Sequence, residues 1–285
     1  MNKKKLKVLL AGHTGFVGKN LTRLLSLNDE IDLIFASNSN GYDITKSLSL
    51  KGMKCDVIIN LAGFVGIEDG WSNPHRILRD NYLITLNLLE LSRENNASFI
   101  HISSYVFGIP KYQPIDESHP VSGYNPYASS KIISETLCSD YGKYFKFPIT
   151  ILRPFNLYGR DQKNNFLISG LVNGKNIMDI KDLNARRDYL WIQDFVNAIK
   201  IVLFNQKQGV NIYNIGSGLS YSALEIIKII QKSSGEIVNY TQNDPEKIIV
   251  QDCRCDNRLF CSEFDWKPIV SLSQGVDLML DLSSL

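Results

Sequence analysis

The segment Gly12-His13-Thr14-Gly15-Phe16-Val17-Gly18 constrains the fold more than any other, because of what flanks it. Before it runs Lys7-Val8-Leu9-Leu10-Ala11, a continuous apolar stretch of the kind that a parallel strand buried on both faces requires. After it, Asn20 to Ser26 reads as a helix. A strand that feeds a helix through a glycine turn begins a βαβ unit, and such a turn offers a phosphate the unpaired N–H groups of a helix N-terminus. Gly12 permits the tight turn, Gly15 lets a pyrophosphate approach the amides around Phe16 and Val17, and Gly18 lets helix and strand pack closely. The pattern predicts dinucleotide binding.

The apolar runs continue in alternation. Asp32 to Ala36, Cys55 to Ala62, Ser98 to Ser103 and Ile149 to Arg153 read as strands, and Asn81 to Arg93 and Tyr127 to Tyr144 as helices. This order predicts an α/β fold, a doubly wound parallel sheet of Rossmann type over residues 1–155, with a return segment near 189–215. Residues 156–188 and 216–285 are expected to form a smaller mixed α/β substrate-binding lobe. That lobe includes helices over Phe166 to Val172, Tyr221 to Ser233 and from Leu272 onward. The strand Asn211 to Ile215 falls in the return segment.

Composition excludes several classes. A chain of 285 residues with 44% hydrophobic and 21% charged residues is that of an ordinary globular protein. A formal charge of +2 gives no reason to expect nucleic acid or an anionic membrane as partner. Lys3-Lys4-Lys5 followed by Leu6 to Ala11 resembles a signal peptide only superficially, since the apolar run is short and ends in a glycine turn. No apolar run is long enough to span a bilayer, and a cytoplasmic protein is expected. The five cysteines, Cys55, Cys138, Cys253, Cys255 and Cys261, lack a His or Cys that completes a ligand set, so no metal is expected. His13 reads as a loop residue, and His75, His101 and His119 as structural.

Tyr127 and Lys131 stand one helical turn apart on one face. An ammonium there is expected to lower the phenol below its usual value near ~10, so that it can trade a proton nearer neutrality. With Ser103 upstream at a strand end, the set points to hydride transfer at a carbon bearing oxygen.

The G-x-x-G-x-x-G spacing, with Ser103, Tyr127 and Lys131, resembles the extended short-chain dehydrogenase/reductases, the NAD-dependent epimerase/dehydratase family acting on nucleoside-diphosphate sugars. The resemblance implies that Ser103, Tyr127 and Lys131 are catalytic and that Leu61-Ala62-Gly63 lies behind the adenine ribose. It places Asn81 at the opening of the fourth helix and Pro154 among the residues closing over nicotinamide. It also implies that Asn156 and Arg187 take the substrate's phosphates, and that Asp43-Ile44 bracket adenine. Arg153 to Gly159 and Tyr213 to Gly218 are further segments typical of this branch.

Ala36-Ser37-Asn38-Ser39-Asn40, at the end of the second strand, holds neither acid nor base. Without an acid, nothing repels a 2′-phosphate, although no Arg compensates its charge. NADP(H) is therefore favoured over NAD(H), with Ser37 and Asn38 at the ribose. The family's dehydratases carry an Asp-Glu pair after the catalytic hydroxyl, where this chain has Ser104-Tyr105, so elimination lacks its acid and base. The branches typified by GDP-fucose synthase and dTDP-rhamnose synthase are similar, but Tyr105 replaces the epimerising Cys of the first. The resemblance thus implies NADPH-dependent reduction of a nucleoside-diphosphate 4-keto-6-deoxy sugar, in deoxysugar biosynthesis for surface polysaccharide, with Ser103, Ser104 and Tyr105 at the substrate. A 4-epimerase with retained NAD and a non-catalytic dinucleotide sensor remain open alternatives. Leu83, Ile84, Leu86, Leu88, Leu89 and Leu91, with Ile132, Ile133, Leu137 and Tyr141, exceed what one buried helix face needs, so a homodimer is expected.

Overall fold

Leu6–Ala11 (β1), the strand before the glycine turn, lies inside one large sheet, with Val8 to Ala11 wholly buried. Around it stand Ile31–Ala36 (β2), Val57–Asn60 (β3), Ser98–Ile102 (β4), Ile149–Pro154 (β5) and Val210–Ile215 (β9), in the order β2-β1-β3-β4-β5-β9. The pairings of β1 with β2 and β3, β3 with β4, and β4 with β5 are all parallel. The order reverses between β1 and β3, the crevice where doubly wound sheets bind ligands. The computed structural model describes residues 4–64, 71–173, 178–242 and 250–283; Lys3 of the basic cluster lies outside them.

Three helices of the first unit begin earlier than apolar periodicity alone indicates. The helix after the turn is Phe16–Leu25 (α1). The next, Pro74–Asn95 (α2), opens with Pro at its first position and Asn73 capping Arg76 N. Pro126–Phe145 (α3) repeats the device, with Asn125 accepting from Ala128 N. These two helices are joined by polar bonds, Asn81 Nδ2 to Ser130 Oγ at 2.9 Å and Thr85 Oγ1 to Ser134 Oγ at 3.0 Å. Ile84, Leu88, Leu89, Phe99, Cys138 and Ile149 fill the core between helices and sheet.

The chain forms two compact units, one of Met1–Gly108, Pro120–Arg153 and Ile199–Tyr213, the other of Ile109–His119, Pro154–Ala198 and Asn214–Leu285. The second contains Asn156–Tyr158 (β6) pairing in parallel with Arg186–Trp191 (β8). It also holds Met178–Asp179 (β7), Ser220–Ser222 (β10), Tyr240–Thr241 (β11) and Asp252–Cys253 (β12). Its helices are Leu167–Asn173 (α4), Ala223–Ser234 (α6), Arg258–Phe264 (α7) and Leu272–Ser283 (α8), while Ile192–Phe204 (α5) runs from this unit into the first. Helix α6 starts at Ala223, two residues later than its apolar pattern suggests, because Ser222 and Glu225 form a capping box and Tyr221 belongs to β10. Among the described residues no helix is long and apolar enough to cross a membrane.

Candidate active site

The glycine turn is built as its sequence requires. Gly12 has φ +88°, and a Cβ on it would lie 2.7 Å from Ala62 N. A Cβ on Gly18 would lie 2.3 Å from Gly12 O, so helix and turn touch backbone to backbone. Gly15 is the N-cap of α1, exposed, and no side chain caps the helix. The amides around Phe16 and Val17 thus suit the pyrophosphate of a dinucleotide. His13 packs its ring on Phe35, with centroids 4.5 Å apart.

At the end of β2, the Ser37 hydroxyl is held by Ser39 Oγ at 2.7 Å and Asn40 Oδ1 at 2.9 Å, while Asn38 is exposed. Asp43 accepts from Thr45 Oγ1 at 2.6 Å and pairs with Lys46 at 3.2 Å. The Thr45 hydrogen bond, followed by that of Lys46, holds its carboxyl below the usual range. Ile44 is buried, its carbonyl accepting from Asn87 Nδ2. Leu61-Ala62-Gly63 is half-buried; Asn60 Oδ1 accepts from Ala62 N, and Asn81 Oδ1 accepts from Phe64 N.

Lys131 is buried, and its Nζ donates to Ile102 O at 2.9 Å. It stands 6.0 Å from the Tyr127 ring centroid, and 3.8 Å from where a Cβ on Gly63 would sit. Ser103 closes β4 by donating its N–H to Leu152 O. The structure therefore brings Ser103, Tyr127, Lys131 and the Leu61–Gly63 loop into one region of the first unit. Their protonation differs from the expectation. Burial pushes the Tyr127 phenol up to about 12, against a lowering by its hydrogen bond to the Ser104 side chain. Burial also pulls Lys131 down to about 8, although Glu135 and Cys138 act the other way. The ammonium does not lower the phenol here: desolvation of the phenolate dominates, with Lys131 set against the Ile102 carbonyl and 6.0 Å from the ring centroid.

Ser104 and Tyr105 are half-buried beside these groups in sequence. Glu135, which the motif reading passed over, accepts from the Ser103 hydroxyl at 2.5 Å and pairs with Arg153 at 2.6 Å. Its signal was available: Tyr127, Lys131 and Glu135 recur every fourth residue along one helix face.

Pro154 is buried and belongs to the second unit. There, the β6–β8 pairing sets Asn156 opposite Tyr189, and Asn156 Nδ2 donates to Asp188 O at 2.9 Å. Arg187 donates through Nη1 to Arg186 O and Val250 O, whereas Arg186 is committed to Glu225 at 2.7 Å. Asp188 is buried and accepts from the amides of Ser217, Gly218 and Cys255. Burial nevertheless raises it to about 6. All five cysteines are free thiols.

A parallel sheet with a glycine turn at its switch point, and a Tyr and Lys behind it, defines a Rossmann-type dinucleotide fold. A model of the NAD dependent epimerase/dehydratase family matches residues 8–216, and the chain belongs to that family. It is 28% identical to the GDP-6-deoxy-D-mannose reductase of Pseudomonas aeruginosa, over 96% of each chain. It is 29% identical to the UDP-glucose 4-epimerase of Bos taurus, over 79% of this chain and 71% of that one. The structure of RMD from Pseudomonas aeruginosa complexed with NADPH superposes with a TM-score of 0.89 at 26% identity, over 98% of this chain and 99% of that one.

Proposed function

We propose that this protein is an NADPH-dependent reductase of the C4 keto group of a nucleoside-diphosphate 4-keto-6-deoxy sugar, with guanosine as the nucleoside. The observation that carries the reading is the full-length similarity to GDP-6-deoxy-D-mannose reductase, together with the likeness to RMD complexed with NADPH. Nothing acidic at the end of β2 repels a 2′-phosphate there, in keeping with NADP(H) over NAD(H).

When bound, the nicotinamide supplies the hydride. Gly12, Gly15, Gly18 and the amides of Phe16 and Val17 hold its pyrophosphate; Ser37, Asn38, Asp43, Ile44 and Leu61 to Gly63 surround its adenosine end, and Pro154 its nicotinamide end. Tyr127 donates its phenolic proton to the C4 oxygen as general acid. Lys131 remains cationic behind it, and Ser103 hydrogen-bonds the same oxygen as charge develops. Asn156 and Arg187 of the second unit take the sugar nucleotide's pyrophosphate, and Ser104 and Tyr105 meet the sugar. The protein acts as a homodimer.

The similarity to a UDP-glucose 4-epimerase supports a second reading, in which the same three residues oxidise and re-reduce C4 with NAD retained. Incubation with GDP-4-keto-6-deoxymannose and NADPH, in parallel with UDP-glucose and NAD, separates the two. Stoichiometric loss of NADPH with formation of a GDP-6-deoxyhexose is expected. Interconversion of UDP-hexoses without net cofactor turnover would establish the epimerase instead.

A further inference from the structure

Glu135 takes no part in the scheme above, yet it is buried directly behind it. Its Oε1 accepts from Ser103 Oγ at 2.5 Å and from Arg153 Nε at 3.0 Å, and its Oε2 from Arg153 Nη2 at 2.6 Å. Arg153 is itself buried, with its guanidinium 5.5 Å from the Phe107 ring centroid. A buried ion pair is a poor source of stability, because the desolvation of two charges offsets their attraction. This one does something that an apolar pair could not: it holds a hydroxyl. Ser103 has one hydroxyl proton; in the free protein Glu135 accepts it, which holds the hydroxyl in one rotamer until the C4 oxygen takes that hydrogen bond over. Lys131 grips the carbonyl of the preceding residue, Ile102, from the same face of α3.

We propose that Glu135 is a positioning residue: clamped by Arg153, its carboxylate fixes the Ser103 hydroxyl and supplies the counter-charge to Lys131. The proposal rests on Ser103, Tyr127 and Lys131 being the reacting groups. The groups facing Lys131 are Tyr127, Glu135 and Cys138 from its own helix and His101 from β4, with Arg153 of β5 reached through Glu135. Burial keeps His101 neutral and the Cys138 thiol protonated, so Glu135 is the one anion among these groups.

The test is a double-mutant cycle between Glu135→Gln and Ser103→Ala, read on whichever sugar nucleotide the wild type turns over. Glu135→Gln alone is expected to lower kcat on the order of 10²-fold, the cost of misplacing one reacting group, with KM and NADPH affinity nearly unchanged. In the Ser103→Ala background the same substitution is expected to cost clearly less, the remainder being its effect on Lys131. An undiminished second loss would overturn the proposal, since Glu135 would then act independently of Ser103. A second readout needs no sugar nucleotide and so survives failure of the proposed function. In carbon-13 lysine NMR of the free protein, the Lys131 midpoint should drop in Glu135→Gln, and an unmoved midpoint overturns the counter-charge. Should Glu135→Gln not fold, Glu135→Leu with Arg153→Met removes both charges together, a change that buried pairs often tolerate, and is read in the same two ways.

Discussion

A phenol pushed up to about 12 keeps its proton at neutral pH, so Tyr127 stands in the form that donates, as a reductase requires of its acid. Tyr127→Phe should therefore cost about 10²–10⁴ in turnover while leaving NADPH affinity intact, as measured by stopped-flow and fluorescence titration. Near-wild-type turnover would remove Tyr127 from the chemistry. Lys131 sets the pH dependence. Its folded value, about 8, lies below that of an ordinary lysine, so the cation is half lost at about pH 8 and declines further as the pH rises. Reductive kcat/KM, which reports groups of the free protein, should fall on the alkaline side with a midpoint near 8 and show no acid limb from this group; a profile flat up to the ordinary lysine range would show that the charge is not needed. Arg187 spends the Nη1 bonds described above on backbone carbonyls, and its role is tested by selectivity. Arg187→Ala should raise the sugar-nucleotide KM roughly tenfold or more, the loss of a charge-assisted bond, and spare the NADPH KM. Equal effects on both would place Arg187 elsewhere. Ser103, Tyr127 and Lys131 were legible as candidates because the chemistry proposed for them is carried by residue type and spacing. Glu135 continues that four-residue spacing but is passed over, because a charge in mid-helix reads as solvent-facing until Arg153 arrives from β5 to bury it.

At the scale of elements, the glycine turn separates stability from binding. A Cβ on Gly18 would collide with backbone atoms of Gly12 and His13, which cannot move without shifting β1 or α1. Gly18→Ala should cost about 1–3 kcal/mol of folding stability in urea titration, the range for overpacking. A Cβ on Gly15 would find its nearest neighbour, Gly12 O, at 3.4 Å, and its φ of −75° suits alanine. Gly15→Ala should therefore leave the urea midpoint nearly unchanged but weaken NADPH binding, because the added methyl stands where the phosphate approaches. The reverse ranking would refute this division. Strands β1, β3, β4 and β5 were readable as continuous apolar runs because parallel strands are buried on both faces. Helix α5 was not: Ile192, Phe195, Val196, Ala198, Ile199, Val202 and Leu203 are all buried, and the polar stripe left to mark its period is only the narrow one of Gln193, Asn197 and Lys200. The short strands of the second unit escape for another reason. Ile115 bridges Cys255, and Gln113 donates to Asp252 O and accepts from Arg254 N, so the place of 109–119 rests on pairings distant in sequence.

At the scale of the whole molecule, α3 has two faces with different tasks. Tyr127, Lys131 and Glu135 lie along one of them, whereas Ile133 stands about 200° round the helix from Lys131 and is exposed. Tyr144 and Phe145 on α3 and Tyr82 on α2 are exposed as well, with Leu83, Leu86, Ile132, Leu137 and Tyr141 half-buried among them. Ile84, Leu88, Leu89 and Leu91, by contrast, are consumed by the core. The apolar surplus expected on these helices thus reduces to a smaller outward patch, and a self-complementary contact across a two-fold axis would bury it. Light scattering at micromolar concentration should give twice the mass of one chain. Ile133→Lys combined with Tyr144→Lys should shift that mass to the monomer without loss of NADPH affinity, since the cofactor turn lies on α1. A wild-type mass of one chain at every concentration would rule out the dimer, and Ile133 and Tyr144 would then be ordinary surface residues.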